Sequence, residues 1–319
     1  MTTGNDTART TIVVVTWRGR EHVAACLDAV AAQTRPHRIL VVDNASDDGT
    51  ADVLATCPAR PEVTRLPVNT GYAGGLAAAL PAVTTEFVAW LNDDAVPAPD
   101  WLALLEDALD AAPAAAAAGA RLESADGEPI SVGVALTADG HGRDRTEPAG
   151  VFGFCGGAAL LRTADLVAAG GVPARFFCYY EDTDTSWRLR LRGREVLAVP
   201  AARVVHRHGA SSRPGSRLFH RWNERNRLFM LLRCAPAGVA ARELARFAGL
   251  TAVLPVRRLA RRPVPAAWNF RLGLRLQVLA EVLVRLAVLV RERRAVTRAA
   301  TVARAVVWRS ALAFGESGA

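Results

Sequence analysis

An amide and two carboxylates, Asn92, Asp93 and Asp94, directly follow an apolar run at residues 87–91. Open α/β sheets present polar groups to a ligand crevice in this way, at the end of a short buried strand. Two adjacent carboxylates lose hydration and repel each other there unless a cation joins them. Oxygen ligands of this kind suit Mg²⁺ or Mn²⁺, and these ions suit a phosphorylated substrate. A solvated turn with helix-capping acids is the alternative interpretation, and these three residues alone do not decide.

A second polar group follows the apolar residues 39–42, where Asp43 takes the last strand position. A carboxylate there can accept a hydrogen bond from a base N–H or a ribose hydroxyl. The residues Asp47, Asp48 and Gly49 then form a tight turn into the next helix. A capped turn explains these three residues but not the position of Asp43.

A glycine-rich turn at residues 69–75 opens a segment of small residues. Glycines let backbone amides approach a phosphate or a ribose closely. Such turns are common, so this one predicts a nucleotide contact only together with the other motifs.

These polar groups require a scaffold, and the sequence predicts one of alternating strands and helices. That alternation implies βαβ units and a mainly parallel, Rossmann-like sheet flanked by helices. Residues 119–150 are predicted to form a hairpin or loop over the sheet, residues 196–205 short strands, and the chain from residue 218 onward helices. The other predicted strands cover residues 11–16, 38–43, 63–66, 87–91 and 114–122, and the other predicted helices residues 21–32, 49–55, 73–82, 100–110 and 183–191.

The order of the motifs resembles the family 2 inverting glycosyltransferases, which have the A-type nucleotide-diphosphosugar transferase fold. Further matching pieces lie at residues 154–158, 180–184 and 206–212. The whole set, from residue 11 to residue 212, is far more specific than any one piece. The resemblance implies a nucleotide-sugar-binding and catalytic domain at residues 1–215 and an Arg-rich helical region at residues 216–319. It is strongest to bacterial rhamnosyl- and galactofuranosyltransferases of cell-wall polysaccharide assembly.

The resemblance also implies how the donor is bound. Asp43 contacts the base or ribose, and Asn69 with Gly71 lines the nucleotide site. Residues 92–94 match the metal motif Asp-x-Asp, with Asn in the first position as in rhamnosyltransferase-like members. Asp94 is then the direct ligand of Mg²⁺ or Mn²⁺. The residues expected at the nucleotide-sugar are Thr16, Asp43, Asn69, Gly71, Asn92 and Asp93.

Three acids lie just before or within the predicted helix start, namely Glu181, Asp182 and Asp184. Inverting transfer needs one carboxylate base that deprotonates the acceptor hydroxyl as it attacks the anomeric carbon. Acids at a helix N-terminus are also good caps, which is the alternative interpretation. The resemblance assigns the base to Asp182, with Glu181 and Asp184 as nearby alternatives. Trp187 is a candidate for stacking on the acceptor, although aromatic residues in such segments are more often core.

Two further motifs complete the expected site. His206 follows two valines, and a neutral imidazole can be the second protein ligand of a metal held by Asp94. The resemblance assigns that role to His206, with His208 as its competitor; a hydrogen-bonded surface histidine is the alternative. Gly156 and Gly157 are expected to let the acceptor lie close to the backbone, or else to allow tight strand packing.

Composition narrows the class of protein. With 319 residues, half of them hydrophobic, the chain can form one large domain or two smaller ones. The five cysteines are scattered without a CxxC pair, which argues for reduced thiols and against zinc. The N-terminus carries no signal-peptide h-region, so we expect a cytoplasmic protein at the inner face of the cell membrane.

Charge is divided unevenly along the chain. Residues 1–212 hold 18 Arg and 26 acids, whereas residues 213–319 hold 21 Arg and 5 acids. Amphipathic Arg-rich helices can lie among lipid headgroups, so we expect peripheral binding to an anionic membrane surface. The alternative is a helical pair packed on the catalytic domain or on a second subunit of a homo-oligomer. No apolar stretch reaches the roughly 18 residues of a spanning helix.

The predicted function is therefore inverting transfer of rhamnose or galactofuranose from a dTDP- or UDP-activated donor to a glycan or polyprenyl-linked acceptor. A nucleotidyltransferase also uses acids and Mg²⁺ on this type of sheet, but residues 15–20 are a poor version of its basic Gly-rich loop. A non-catalytic protein that binds nucleic acid or membranes is suggested only by the basic tail. Because no nucleic-acid-binding module is present, nucleic acid is not an expected partner.

Overall fold

The computed structural model describes residues 8–207 and 214–316, and a large mixed β-sheet with apolar layers on both faces forms its centre. The strands are β1 (Thr10–Thr16), β2 (His37–Asp43), β3 (Glu62–Arg65), β4 (Phe87–Asn92), β5 (Ala95–Pro97), β6 (Ala115–Glu123), β7 (Pro129–Ser131), β8 (Gly133–Leu136), β9 (Gly142–Arg145), β10 (Ala158–Arg162) and β11 (Glu195–His206). The helices are α1 (Val23–Ala31), α2 (Thr50–Ala55), α3 (Gly71–Ala79), α4 (Trp101–Ala111), α5 (Thr163–Ala168), α6 (Glu181–Leu191), α7 (Arg217–Cys234), α8 (Ala237–Leu259), α9 (Leu272–Ala299) and α10 (Arg304–Glu316).

The strand order in the main sheet is β3-β2-β1-β4-β10-β6-β11-β5, with β7 attached to β6. Strands β3, β2, β1 and β4 are parallel, and so are β6 and β11. Strand β10 runs antiparallel between β4 and β6, and the edge strand β5 runs antiparallel to β11. The prediction of a mainly parallel α/β sheet is confirmed, with antiparallel strands inserted in its second half.

The β-branched run of β1 explains why the sheet core forms where it does. Every residue of this strand is buried, as expected for a central strand covered on both faces. Successive side chains alternate between the faces. Ile12 and Val14 therefore belong to one apolar layer, and Val13 and Val15 belong to the other.

The carboxyl ends of three neighbouring strands meet at one edge of the sheet. Thr16 at the end of β1 is in register with Asp43 at the end of β2. One position earlier, Val15 is in register with Asn92 at the end of β4. Parallel pairing thus brings together polar residues that are far apart in the sequence.

The C-terminal helices share one apolar layer with the central sheet. Phe229 of α7, Val278 of α9 and Trp308 of α10 lie in the same apolar layer as Trp90 of β4. The expected helical C-terminal region is confirmed, and it packs on the sheet. Among the described residues, no helix is both long enough and apolar enough to cross a membrane.

Two segments differ in detail from the sequence prediction. The residues 133–145 form the β8–β9 hairpin, but β6 continues through residue 123 before it. The predicted short strands at residues 196–205 are one long strand, β11, which is interrupted by a register shift between Val199 and Arg203. Local patterning does not reveal the shift because it depends on pairing with β6.

Candidate active site

The donor edge is the group of polar residues at the ends of β1, β2 and β4. Asp93 is buried there, and its Oδ2 accepts a hydrogen bond from Thr16 Oγ1 at 2.6 Å. His22 Nε2 lies 3.5 Å from the same oxygen. That contact raises the pKa of His22 above its ordinary value. The carboxylate of Asp93 is thus oriented by two neighbours before any substrate arrives.

Asp94 faces the end of strand β11. Its Oδ1 lies 3.0 Å from His206 Nε2, and Asn92 Nδ2 lies 3.0 Å from the same ring nitrogen. Pairing of His206 with Ala95 on β5 brings the histidine to this position, and both Asp94 and His206 are buried.

Asp94 and His206 supply a carboxylate and an imidazole, which together suit Mn²⁺ and are also compatible with Mg²⁺. Within residues 8–207 and 214–316, no three His, Cys, Asp or Glu side chains converge on one point. The competing residue His208 lies outside the described residues.

Asp43 sits in a buried corner at the end of β2. Its Oδ1 accepts a hydrogen bond from the amide of Ser46 at 2.9 Å, and its Oδ2 lies 3.1 Å from Arg65 Nη1. Arg65 also donates to the Ser46 carbonyl at 2.7 Å. The turn after β2 thus fixes a single carboxylate at the position where the sequence predicted a base or ribose contact.

Asn44 joins this corner to the glycine-rich turn. Its Nδ2 donates to the Gly71 carbonyl at 2.9 Å, and its Oδ1 accepts from the Thr70 amide at 2.8 Å. Within the turn, Asn69 Oδ1 accepts from the Gly71 amide at 2.8 Å. The side chain of Asn69 therefore shapes the turn that opens α3, and Asn44 anchors that turn to the donor edge.

The acceptor side is the start of α6 together with the two glycines before β10. Asp182 is half-buried; its Oδ2 accepts from the Gly156 amide at 2.9 Å and its Oδ1 from Thr183 Oγ1 at 3.0 Å. Burial outweighs these hydrogen bonds and raises the pKa of Asp182. A raised pKa favours a carboxylate that takes up a proton during a reaction.

Glu181 lies beside Asp182 and is buried. Its Oε2 has no hydrogen-bond partner among the described residues. Burial raises the pKa of Glu181 well above its ordinary value, and the nearby Asp182 charge raises it further. A Cβ at Gly156 would lie 3.2 Å from Asp182 Cβ, so a side chain there would press on the Asp182 side chain.

Two consecutive glycines connect the donor edge to the acceptor side. Gly156 bonds Asp182, while the carbonyl of Gly157 accepts from the Asn92 amide at 3.0 Å. Tyr72 on α3 donates its hydroxyl proton to the Gly156 carbonyl at 2.6 Å. The motifs at residues 92–94, 156–157 and 181–182 therefore form one site.

Residues 11–167 match the family model described as Glycosyl transferase family 2. These residues form a family 2 glycosyltransferase domain. It contains the donor edge and the two glycines, and the start of α6 lies C-terminal to it. The chain is accordingly a glycosyltransferase.

Relatives of known activity agree with this assignment. The chain is 26% identical over 245 residues to an N-acetylglucosaminyl-diphospho-decaprenol L-rhamnosyltransferase of Mycobacterium tuberculosis, a match that covers 65% of this chain and 79% of the relative. The mannosyltransferase PcManGT from Pyrobaculum calidifontis, solved with GDP-Man and Mn²⁺, has a TM-score of 0.55 and 18% identity over 91% of this chain and 85% of its own. GalNAc-T7, solved with UDP, GalNAc and Mn²⁺, has a TM-score of 0.55 and 14% identity over 72% of this chain and 50% of its own. This chain shares their A-type fold.

Two residues that were candidates for this glycosyltransferase site lie in its core instead. Asp184 is fully buried, and it accepts hydrogen bonds from Arg188 Nε at 2.7 Å and Arg233 Nη1 at 2.5 Å. Trp187 is also fully buried, with its ring 5.6 Å from those of Phe152 and Trp308. The two ion pairs of the Asp184 carboxylate argue against a role as the base, and the full burial of Trp187 argues against acceptor stacking.

The structure adds site residues that sequence reasoning missed. Asn44 directly follows Asp43, and a polar residue at a buried strand end was the available signal for it. His22 directly precedes α1 and Tyr72 lies in the glycine-rich turn, but no sequence pattern links either side chain to its contact in the site. Their contacts with Asp93 and Gly156 depend on the packing of α1 and α3 against the sheet.

Proposed function

We propose that this glycosyltransferase moves rhamnose, with galactofuranose as the second candidate, from a dTDP- or UDP-activated donor to a polyprenyl-diphosphate-linked sugar. The name of the mycobacterial relative supports the choice of rhamnose and of a lipid-linked N-acetylglucosamine acceptor. The observation that carries the proposal is the junction at Gly156 and Gly157, which sets Asp182 beside the donor edge. Transfer proceeds with inversion, in the assembly of a cell-wall polysaccharide.

In this proposal, Asp94 and His206 hold Mg²⁺ or Mn²⁺. The presence of Mn²⁺ in two solved structures of the same fold supports a divalent ion. When bound, the ion offsets the charge that develops on the leaving diphosphate. The contribution of the chain is to keep a carboxylate and an imidazole converging at the donor edge, 3.0 Å apart.

The donor nucleotide lies along the edge formed by the three strand ends. Asp43 accepts a hydrogen bond from the base or ribose, and the Gly71 turn lies beside it. Thr16 orients Asp93, which assists through ribose or water together with Asn92. The glycine-rich turn brings backbone amides close to the nucleotide.

Asp182 is the general base in this mechanism. Its carboxylate removes the proton of the acceptor hydroxyl while that oxygen forms a bond to the anomeric carbon. The bond from the anomeric carbon to the diphosphate breaks in the same displacement, and the nucleoside diphosphate leaves. One displacement inverts the configuration. The raised pKa of Glu181 favours its neutral acid, which adds no second negative charge beside the base.

The transfer assay that tests this proposal offers a short polyprenyl-diphospho-N-acetylglucosamine acceptor with dTDP-rhamnose or UDP-galactofuranose. We expect a glycosylated lipid of inverted anomeric configuration and release of the nucleoside diphosphate. Asp182→Asn should bind the donor but transfer almost no sugar. Release of the sugar 1-phosphate in place of the nucleoside diphosphate would favour nucleotidyl transfer, and retention of configuration would contradict the single displacement.

The two parts of the chain have separate roles in this proposal. Residues 1–215 bind the donor and carry the base, while residues 216–319 complete the core and face an anionic membrane surface at the inner side of the cell membrane. Around the end of α8, Val256, Leu259 and Trp268 are 64%, 88% and 43% exposed. Four exposed arginines flank them: Arg257, Arg258, Arg261 and Arg262. Apolar residues beside arginines suit insertion among anionic headgroups.

A liposome assay tests the membrane contact separately from transfer. The wild type should sediment with anionic vesicles at low salt and be released as salt rises. Leu259→Glu should weaken this binding, and Val167→Glu, at an exposed position on α5, is the matched control. Binding to neither anionic nor neutral vesicles, together with a dimeric mass in ultracentrifugation, would instead favour a homo-oligomer.

A further inference from the structure

Three of the five residues before α6 adopt a conformation that non-glycine residues rarely take. Phe177 has a φ of 66°, and Tyr179 and Tyr180 each have a φ of 70°. The Cys178 amide donates to the Phe176 carbonyl at 2.8 Å, which closes a γ-turn around Phe177. Such backbone conformations persist only where neighbouring groups hold them. This segment, residues 176–180, leads directly into Glu181 and the base.

Asn226 of α7 makes several of the contacts that stabilise this segment. Its Nδ2 lies 2.9 Å from the Phe176 carbonyl, 2.7 Å from that of Cys178 and 2.8 Å from that of Tyr179. The side chain is fully buried, and its Oδ1 accepts a hydrogen bond from Arg225 Nε at 2.9 Å. The two N–H donors of one amide group are therefore shared among three carbonyls of the strained segment.

Arg225 links the same segment to the C-terminal helices. Its Nη2 donates to the Phe176 carbonyl at 2.6 Å, and its Nη1 lies 3.2 Å from Glu281 Oε2 on α9. The ring of Trp222, one turn earlier on α7, lies 4.8 Å from that of Phe177. The contacts that stabilise residues 176–180 thus depend on the packing of α7 against α9.

The opposite side of the segment touches the donor site. The Phe177 carbonyl accepts from the Ala73 amide at 3.0 Å. A Cβ at Gly71 would lie 2.2 Å from that same carbonyl oxygen, so only glycine fits there. Residues 176–180 are therefore the shared border between the nucleotide turn and the base.

We propose that Asn226 is a positioning residue, which sets the distance between the Asp182 carboxylate and the donor by fixing residues 176–180. This inference rests on the proposed role of Asp182. A displacement of about 1 Å in a reacting group can cost roughly 10²-fold in rate. The loss should appear in kcat, because the donor edge itself has its own contacts through Asn44 and Arg65.

The experiment compares Asn226→Ala and Asn226→Asp with Asn223→Ala. Asn226→Asp retains the shape but presents carboxyl oxygens to the three carbonyls. Asn223 is the matched control because it lies on the same helix and donates only to Phe219 of its own helix, at 2.9 Å. We expect both Asn226 variants to lose about 10–10²-fold in kcat. Donor affinity by calorimetry should stay close to the wild type, and Asn223→Ala should transfer normally.

Hydrogen exchange of peptides that cover residues 176–184 gives a readout independent of transfer. Exchange should become faster in both Asn226 variants and not in Asn223→Ala, because the three carbonyl contacts no longer restrain the segment. If either variant melts below the assay temperature, Glu281→Gln is the milder test. It weakens the anchor of Arg225 and should lower kcat in the same direction.

Three results would overturn the positioning role. One is a wild-type kcat in the Asn226 variants or in Glu281→Gln, and another is an equal loss in Asn223→Ala. The third is a parallel loss of kcat and donor affinity. If the wild type itself transfers no sugar, the proposed function fails instead, and the exchange data still report whether Asn226 holds the segment.

Discussion

The carboxyl groups of the donor edge and those of the acceptor side lie in different environments. At the donor edge every acid has a polar neighbour within reach: Asp43 has Arg65, Asp93 has Thr16, and Asp94 has His206. On the acceptor side, Glu181 Oε2 has no such neighbour in the part of the chain that the structure describes, and burial raises the pKa of both Glu181 and Asp182.

This difference matches the two chemical roles of these groups, which are ligand binding and proton transfer. A group that binds a cation or a nucleotide must keep its charge, and hydrogen-bond donors and cations favour the ionised carboxylate. A group that accepts a proton during the reaction must change its charge, and a raised pKa brings that change closer to the working pH. The two halves of the site thus use the same residue type with opposite environments.

The largest expected effect is on the donor edge. Removal of divalent ions with EDTA should abolish transfer, and Mg²⁺ or Mn²⁺ should restore it. Asp94→Ala should lose both transfer and donor affinity, because it removes one of the two protein ligands. Calorimetry with the donor nucleotide measures the affinity separately. Asp100→Ala, at an exposed acid six residues later, is the control; full activity of Asp94→Ala would remove Asp94 from the site.

Asp182→Asn should lower kcat by about 10²–10⁴-fold while donor binding survives, because a general base typically contributes that much. The pH dependence follows from the raised pKa of Asp182. A base works when deprotonated, so wild-type kcat should fall as pH drops through a value above the ordinary aspartate pKa of 3.8. The acid limb should disappear in Asp182→Asn. An unchanged pH profile in this variant would move the base to another residue.

Asp184→Asn should act on stability and not on chemistry. It leaves Arg188 and Arg233 without their buried carboxylate, and breaking a buried ion pair typically costs about 3–5 kcal/mol. Urea unfolding measures the loss, and kcat per folded molecule should stay near the wild type. A stable Asp184→Asn that transfers no sugar would restore Asp184 as a candidate base.

The smallest effect is expected for Glu181→Gln. A carboxyl group whose folded pKa is raised loses stability as pH rises from its ordinary value of 4.5 toward the folded pKa. Glutamine has no charge to bury, so the variant should become more stable than the wild type as pH rises, by about 1–3 kcal/mol. Thermal unfolding in EDTA between pH 5 and 8 checks this. A gap that shrinks with pH would show that the Glu181 charge is stabilised.

The donor edge could be largely predicted from the sequence, whereas the acceptor side could not. Strand ends in a parallel sheet meet at one edge, so apolar runs that end in Asp43 and in residues 92–94 already imply convergence. The sequence alone does not show which acid of α6 faces the site, because successive residues of a helix point to different sides. Asp184 and Trp187 are three positions apart and share a face, and that face is the core side. Helix α6 is buried at nearly every position, so helical periodicity alone does not separate the base from the core residues.

Other contacts depend on tertiary structure alone. Asn226 lies more than 40 residues after the segment it holds, and no local pattern links an asparagine to three distant carbonyls. The conformation of residues 177–180 is equally hidden, because phenylalanine and tyrosine do not favour positive φ. Such local conflicts with residue preference are expected near functional sites.

The stacked rings of Trp187 and Trp308 have a consequence for how such enzymes can be recombined. One ring belongs to the helix that carries the base, and the other to the last described helix, with an angle of 11° between them. A chimaera whose tail came from a relative would need an aromatic ring in that tail to stack on Trp187. It would also need tail residues that pair with Asp184. Exchange of the tail alone is therefore expected to leave Trp187 and Asp184 without these partners, and thermal unfolding should show a less stable hybrid.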